Sequence, residues 1–450
     1  MRILVLGEVI LDRDVHGAVA RVAPDAPVPV VDVERRDERP GGAGLVARLL
    51  AHTGADVRLA APFASDGTGA RLRSLLEADR ITCLPITTAR ATRSVTRVRS
   101  DSQSLIRIDE HTDQLARDAT VEVTAVEAEL TRADAVVVAD YGAGLCRHEQ
   151  LRRLLGRWAT RRVMVWDPHP RGAEPVPGVH IVTPNRGEAL GFVGATVNSL
   201  DVAASTLRER WRAGAVAATD GASGVLTAIA GSPTLFVPAP FVVDGDSCGA
   251  GDRFTASVAV ALVGGASVPG AVATAVGDVA AWLRDGGVTG RSRLMPDPVA
   301  SGGNRGTDVT VVATGGCFDV LHAGHVASLQ AARRLGDRLV VLLNSDASVR
   351  RLKGPARPVQ SAADRARVLG SLACVDEVRV FDEDTPETAL AELRPDVWAK
   401  GGDYAGEHMP EAALVTSWGG RIVLLPHLPG RSTTRILTHV DQHTTRERTA

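Results

Sequence analysis

Short apolar runs alternate with amphipathic stretches along most of the chain, and that alternation predicts a doubly wound α/β sheet. Compact apolar runs at residues 3–6, 57–60, 135–139, 163–166 and 179–182 read as buried strands. Between them, helical periodicity covers residues 42–53, 68–78, 200–213, 251–263 and 271–284. Two segments break the rhythm. Residues 28–34 and the alternating SVTRVRSDSQSLIRID at 94–109 suit half-exposed antiparallel strands, which predicts a small β lid over the sheet.

The stretch ASGGNRGTD at 300–308 is the best linker in the chain. It separates a first unit, residues 1–298, from a second α/β unit, residues 309–437, that opens on a strand at 309–313. Residues 299–308 form the connection, and 438–450 lack periodicity and read as a flexible tail. There is no internal repeat, so the units are different folds. The second reads as a Rossmann-like domain.

Composition narrows the function. A net charge of −2 over 450 residues offers no bulk attraction to nucleic acid or anionic membrane, so any phosphate site must be local. The apolar start MRILVLGEVILD is broken by Gly7, Glu8 and Asp12, and reads as a first strand rather than a leader. No run approaches the roughly 20 apolar residues a membrane span needs. Cys83, Cys146, Cys248, Cys317 and Cys374 are scattered, which fits a reduced cytoplasmic protein without a disulfide framework or structural zinc. Of 51 basic residues only Lys353 and Lys400 are lysines, against a background rich in Arg, Ala, Val and Gly. Lysines that survive such a bias suggest a need for a compact ammonium group.

In the first unit, Asp246-Ser-Cys-Gly249-Ala250-Gly251-Asp252 leads directly into a helical pattern. Glycines before a helix let backbone N–H groups converge on an anion, and the helix dipole adds to that field. An Asp beside such an anion hole can take a proton from a hydroxyl during phosphoryl transfer. Gly41-Gly42-Ala43-Gly44 opens another helix. Asn185 with Glu188, and Thr219 with Gly221 and Gly224, follow two further strands. With these motifs the unit resembles the ribokinase (PfkB-type) sugar kinases. The resemblance implies Asp252 as catalytic base and Asn185 with Glu188 organising Mg²⁺ and ATP. It places the ATP site at Thr219, Gly221, Gly224, Gly249, Ala250 and Gly251, and the sugar site at Asp12, Gly41, Gly42, Arg107 and Asp140.

In the second unit, residues 314–325 read TGGCFDVLHAGH, after one strand and into a helix. Two imidazoles three positions apart at a helix N-terminus can both face a polyphosphate. A metal reading of His322 and His325 finds no third ligand at suitable spacing. The segment resembles the cytidylyltransferase-like nucleotidyltransferases. That likeness implies His322, His325 and Lys353 as catalytic, with Gly316, Phe318, Asp319, Gly324, Asn344, Asp346, Lys400, Ser432, Thr433 and Thr434 at the nucleotide. No general base is required, because a sugar 1-phosphate is already an anionic nucleophile.

The whole chain resembles the bifunctional heptose 7-phosphate kinase/heptose 1-phosphate adenylyltransferases. That implies ATP as co-substrate in both steps, Mg²⁺, a separate bisphosphate phosphatase as partner, and a homo-oligomer, with no nucleic-acid or membrane partner. Leu45 stands where the family has Asn, and Ala143 and His169 where it has Lys. A remote phosphate of the substrate must then meet Arg, with Arg107 a candidate, or His169. Two other readings stay open: a different sugar phosphate or CTP, and a first unit that is an inactive binding domain.

Overall fold

The computed structural model describes residues 1–100, 103–111, 115, 119–194, 197, 199–240, 243–288, 292–294, 309–401 and 410–425. In chain order its strands are β1 (Arg2–Gly7), β2 (Val9–Val22), β3 (Pro29–Gly42), β4 (Asp56–Phe63), β5 (Thr82–Thr88), β6 (Arg93–Ser100), β7 (Gln103–Glu110), β8 (Ala135–Ala139), β9 (Val163–Asp167), β10 (Ile181–Val182), β11 (Ala215–Thr219), β12 (Gly224–Ile229), β13 (Leu235–Pro238), β14 (Val243–Gly245), β15 (Ser292–Leu294), β16 (Val311–Gly316), β17 (Arg338–Asn344), β18 (Glu377–Phe381), β19 (Val397–Gly401) and β20 (Arg421–Leu425). Fourteen of them form one sheet in the order β18-β17-β16-β19-β20-β13-β12-β11-β10-β9-β8-β1-β4-β5.

The sheet is parallel except where β12 runs against β11 and β13. Helices cover both faces, so its central strands are apolar throughout: RILVLG in β1 and AVVVA in β8. The strand expected at 179–182 keeps only Ile181 and Val182 in the ladder. The helix expected from 271 begins earlier, at Val268, where Ser267 accepts the Gly270 N–H at 3.3 Å and Pro occupies the first turn.

The lid is a separate sheet, β3-β2-β6-β7. The stretch expected at 94–109 supplies the antiparallel pair β6 and β7, with Ser94 opposite Glu110. Periodicity gives no sign of β2, because the positions it buries include Asp12, Asp14 and His16.

The two units share one sheet. Strand β13 of the first pairs in parallel with β20 of the second, Leu235 with Ile422 and Phe236 with Val423. Arg334 Nη2 also donates to Pro240 O at 2.7 Å across the junction. One apolar core runs beneath both units, from Val5 and Val237 to Trp398 and Leu424. The linker expected at 299–308 and the tail at 438–450 lie outside the described residues.

Candidate functional site

The glycine-rich turn of the first unit caps the helix Ala250–Val263. Gly249 takes φ 80°, and a side chain there would also fall 2.9 Å from Leu45 Cδ2. Leu45, at the position where an Asn was expected, is thus packed under the anion-hole turn. Ala250 and Gly251, together with Thr219, Gly221, Gly224 and Phe254, line a cavity of about 340 Å³. First-turn amides lack intrahelical acceptors, so this rim suits an anion. Of the residues expected at the ATP, Thr219, Gly221, Gly224, Ala250 and Gly251 line this one cavity, and Gly249 does not.

Asp252 sits in that first turn, half-buried. The Tyr141 hydroxyl donates a short hydrogen bond to its Oδ1. Burial raises Asp252 to about 7; the Tyr141 hydrogen bond opposes the rise, and the charges of Asp12 and Glu188 add to it. Burial likewise holds the Tyr141 phenol well above its ordinary range, so it remains a donor. A carboxyl poised near neutrality beside an anion hole is suited to accept a proton from an attacking hydroxyl.

Asn185 and Glu188 form a capping box at the helix Arg186–Val193: Glu188 N–H donates to Asn185 Oδ1 at 2.9 Å, and Asn185 N–H to Glu188 Oε2 at 2.8 Å. Burial raises Glu188. Asp167, which the motifs did not single out, is pushed well above the carboxylate range by burial, then by the charges of Asp252 and Glu188. The mutual repulsion of Asp167, Glu188 and Asp252 is the environment a divalent cation would relieve, so Mg²⁺ fits here. No cluster of three ready-made metal ligands occurs among the described residues.

On the sugar side, Arg97 Nη1 donates to Asp12 Oδ1 at 3.1 Å. A Cβ on Gly41 would lie 2.5 Å from Asp12 Oδ2, so a side chain there would displace this carboxylate. Gly42 caps the helix Ala43–Ala51 that follows. Asp140 accepts from Gly142 N and Ala173 N, both at 2.8 Å, and so holds two loops. Arg107 is 58% exposed and paired with Asp109 at 2.7 Å. His169 Nδ1 accepts the Arg171 N–H at 3.1 Å. The motifs also gave no sign of a chain from lid to turn. Arg39 pairs with Asp14, Arg99 Nε donates to Asp14 Oδ1 at 2.8 Å, and Arg99 Nη2 reaches Asp246 Oδ2 at 2.8 Å. It ties β6 to the first residue of the anion-hole motif.

In the second unit, His322 caps the helix Ala323–Arg333 and its Nδ1 accepts the Gly324 N–H at 3.1 Å. His322 N–H donates to His325 Nδ1 at 3.4 Å, and the two rings stack with centroids 3.8 Å apart. With both Nδ1 atoms accepting backbone amides, each neutral ring carries its proton on Nε2, a donor for phosphate oxygen. Phe318 packs 5.4 Å from the His325 ring. Gly316 ends β16, where a side chain would press on Phe318 at 3.3 Å.

Asp319 is buried and accepts from Val359 N at 3.0 Å and pairs with Arg357 Nε at 2.8 Å, anchoring the loop after Lys353. Asn344 Nδ2 donates to Ser348 Oγ at 3.0 Å. Asp346 accepts from Arg365 Nη2 at 2.7 Å. Arg365, fully buried and absent from the motif reading, also donates to Cys317 O at 2.6 Å, Asn344 O at 3.0 Å and Gln360 O at 3.0 Å. It binds three loops around the histidine pair; an Arg on an amphipathic helix gives no sequence signal of burial. Lys353 ends the helix Asp346–Lys353 and is exposed, whereas Lys400 pairs with buried Glu411 at 2.6 Å. Ser432, Thr433 and Thr434 lie outside the described residues.

Residues 1–288 match the pfkB family carbohydrate kinase model, and residues 313–436 the cytidylyltransferase-like model. A protein of Streptomyces coelicolor named Bifunctional protein HldE is 48% identical over 453 aligned positions, covering 97% of this chain and 96% of its own. The Caulobacter vibrioides protein of the same name is 36% identical, covering 98% of this chain and 96% of its own. Among solved structures, phosphofructokinase-2 from Escherichia coli in complex with potassium superposes with a TM-score of 0.51 at 20% identity, over 64% of this chain and 94% of its own, a likeness of fold.

Proposed function

The chain belongs to the pfkB carbohydrate kinases through its first unit and to the cytidylyltransferase-like proteins through its second, and on that premise we propose that both units act in turn on one heptose phosphate. It is a bifunctional enzyme, a sugar kinase and a nucleotidyltransferase in one polypeptide, with ATP as co-substrate.

In the first step Asp252 accepts the proton of the O1 hydroxyl of heptose 7-phosphate. The oxygen forms a bond to the γ-phosphorus of ATP, the bond to ADP breaks, and heptose 1,7-bisphosphate results. Thr219, Gly221, Gly224, Gly249, Ala250 and Gly251 hold the nucleotide; Asp12, Gly41 and Gly42 shape the acceptor site. Tyr141 keeps the Asp252 carboxyl oriented and limits the rise of its pKa. Glu188 would hold Mg²⁺ indirectly, and the ion would neutralise phosphate charge. After a separate phosphatase removes the 7-phosphate, heptose 1-phosphate attacks the α-phosphorus of a second ATP. Pyrophosphate leaves, and ADP-heptose forms. His322 and His325 donate to the phosphate oxygens, with Lys353 supplying charge from the next helix.

The observation that carries this reading is the Asp252 carboxyl, poised near neutrality in the first turn of the helix whose glycine-rich start lines a cavity of about 340 Å³. An inactive first unit would have no use for such a group. Exposed apolar side chains on the lid, Val33, Leu105, Ile106 and Ile108, support a homodimer paired through that sheet. No described helix is long and apolar enough to cross a membrane. A cytoplasmic location belongs to the same proposal, since ATP and sugar phosphates are found there.

The test is incubation with ATP, Mg²⁺ and heptose 7-phosphate, with and without the phosphatase, followed by mass spectrometry. The reading expects bisphosphate alone in one arm and ADP-heptose in the other. Absence of bisphosphate, with ADP-heptose still formed from supplied heptose 1-phosphate, would refute the kinase half.

A further inference from the structure

The buried polar positions of the lid form a ladder of ion pairs. Along β2, Asp12 and Asp14 alternate onto one face, and both are buried. Strand β6 runs parallel beside it, with Arg97 in register with Asp14. Each arginine of β6 reaches one rung back: Arg97 Nη1 donates to Asp12 Oδ1 at 3.1 Å, and Arg99 Nε to Asp14 Oδ1 at 2.8 Å. Arg39, opposite Asp12 on β3, closes the other side by donating to Asp14. The second rung does not end in the lid. Arg99 Nη2 donates to Asp246 Oδ2 at 2.8 Å, across 147 positions of sequence. Asp246 passes the connection on, because its Oδ1 accepts the Cys248 N–H at 3.0 Å. Gly249 follows at φ 80°, and the helix of the anion-hole turn starts at Ala250. Arg99 itself is 5% exposed, so its reach to that turn runs through Asp246.

Two guanidinium groups and two carboxylates alternate along Arg39, Asp14, Arg99 and Asp246, so the charges balance. Burial works to raise Asp14, but the hydrogen bonds and charges of Arg39 and Arg99 hold it below the usual carboxylate range. Apolar residues of similar volume would stabilise the lid as well without the desolvation cost, so stability alone does not account for the network. What it adds is a fixed arrangement, since only one placement of the strands and the turn satisfies every member. We propose that Arg99 is a positioning residue for phosphoryl transfer, setting the anion-hole turn through Asp246 and aligning it with the lid strand that carries Asp12. The inference rests on the reading of the first unit as an active kinase. Acceptor carboxylate and turn then belong to adjacent rungs, which holds the attacking hydroxyl and the transferring phosphoryl group in one frame. Arginine suits the task, since its planar fork bridges two carboxylates at once.

The test measures kinase kinetics of the full chain with ATP, Mg²⁺ and heptose 7-phosphate for wild type, Arg99→Met, Asp246→Asn and the double variant. The asparagine keeps an oxygen for the Cys248 N–H and loses only the charge that faces Arg99. Each single variant should lower kcat by about tenfold to a hundredfold, with KM for ATP and for the acceptor within about twofold of wild type. The double variant should be no slower than the slower single one, because both changes break the same link. Arg99→Lys should recover part of the loss. Adenylyl transfer by the same preparations should be unchanged, which reports on folding, and if Arg99→Met fails to fold then Asp246→Asn decides alone. A kcat for Asp246→Asn within about twofold of wild type overturns the assignment, as do losses that multiply in the double variant. A raised KM with kcat retained makes Arg99 a ligand-binding group and overturns it too. A wild type that forms no bisphosphate refutes the kinase reading and the assignment together.

Discussion

The two proposed catalytic centres use one scaffold for opposite electrostatics. Each places a glycine-rich turn between a strand and a helix N-terminus. The first surrounds that turn with carboxylates, Asp12, Asp167, Glu188 and Asp252, and burial lifts Asp252 to about 7. The second carries a stacked pair of imidazoles at that turn, and an exposed lysine ends its next helix. The nucleophiles account for the difference. A sugar hydroxyl must lose a proton, so its site keeps a base whose affinity for that proton is useful near neutral pH. A sugar 1-phosphate is an anion before it binds, so its site needs donors and positive charge only. On the proposed roles, a proton-accepting acid in one unit and neutral imidazole donors with a lysine in the other match what each must do to its nucleophile.

Removing the base gives the largest expected effect. Asp252→Asn should cut kinase turnover about a hundredfold to ten-thousandfold and leave adenylyl transfer untouched, as coupled assays of both steps would show. The variant should also resist heat better than wild type at pH 8. A carboxyl raised from 3.8 to about 7 binds more protons folded than unfolded, so its penalty is absent below about 4 and complete above about 7. His325→Ala should reverse the selectivity. It should slow adenylyl transfer about a hundredfold to a thousandfold, with the kinase rate retained. Arg365→Met tests the positioning layer; breaking a buried charged network should cost about 3–5 kcal/mol. Denaturant unfolding should show that loss in the second unit, where the carbonyl acceptors of Arg365 at Cys317, Asn344 and Gln360 lose their donor.

Much of this was legible in the chain, for identifiable reasons. Strands β1 and β8 are buried on both faces, so apolar runs announced them. The two glycine-rich turns were visible because close approach to an anion restricts residue choice. The lid strand β2 was hidden because its inward positions Asp12, Asp14 and His16 are polar: a surface that faces ligand breaks the pattern that marks a core. Asp167 and Arg365 carry no local signal, since their roles come from what the fold brings beside them. The β13–β20 junction pairs residues near 235 with residues near 422, and no local pattern encodes such a pairing.

The most direct test of the contrast is the pH dependence of both activities in wild type and Tyr141→Phe. In wild type, kcat/KM for the kinase should fall as pH drops below about 7, where Asp252 gains a proton. The Tyr141 hydrogen bond lowers that pKa, so its loss should move the acid limb up by about one pH unit. The adenylyl-transfer profile should not move. A kinase limb that stays in place, or two profiles that shift together, would contradict the assignment of a buried base to one centre and none to the other.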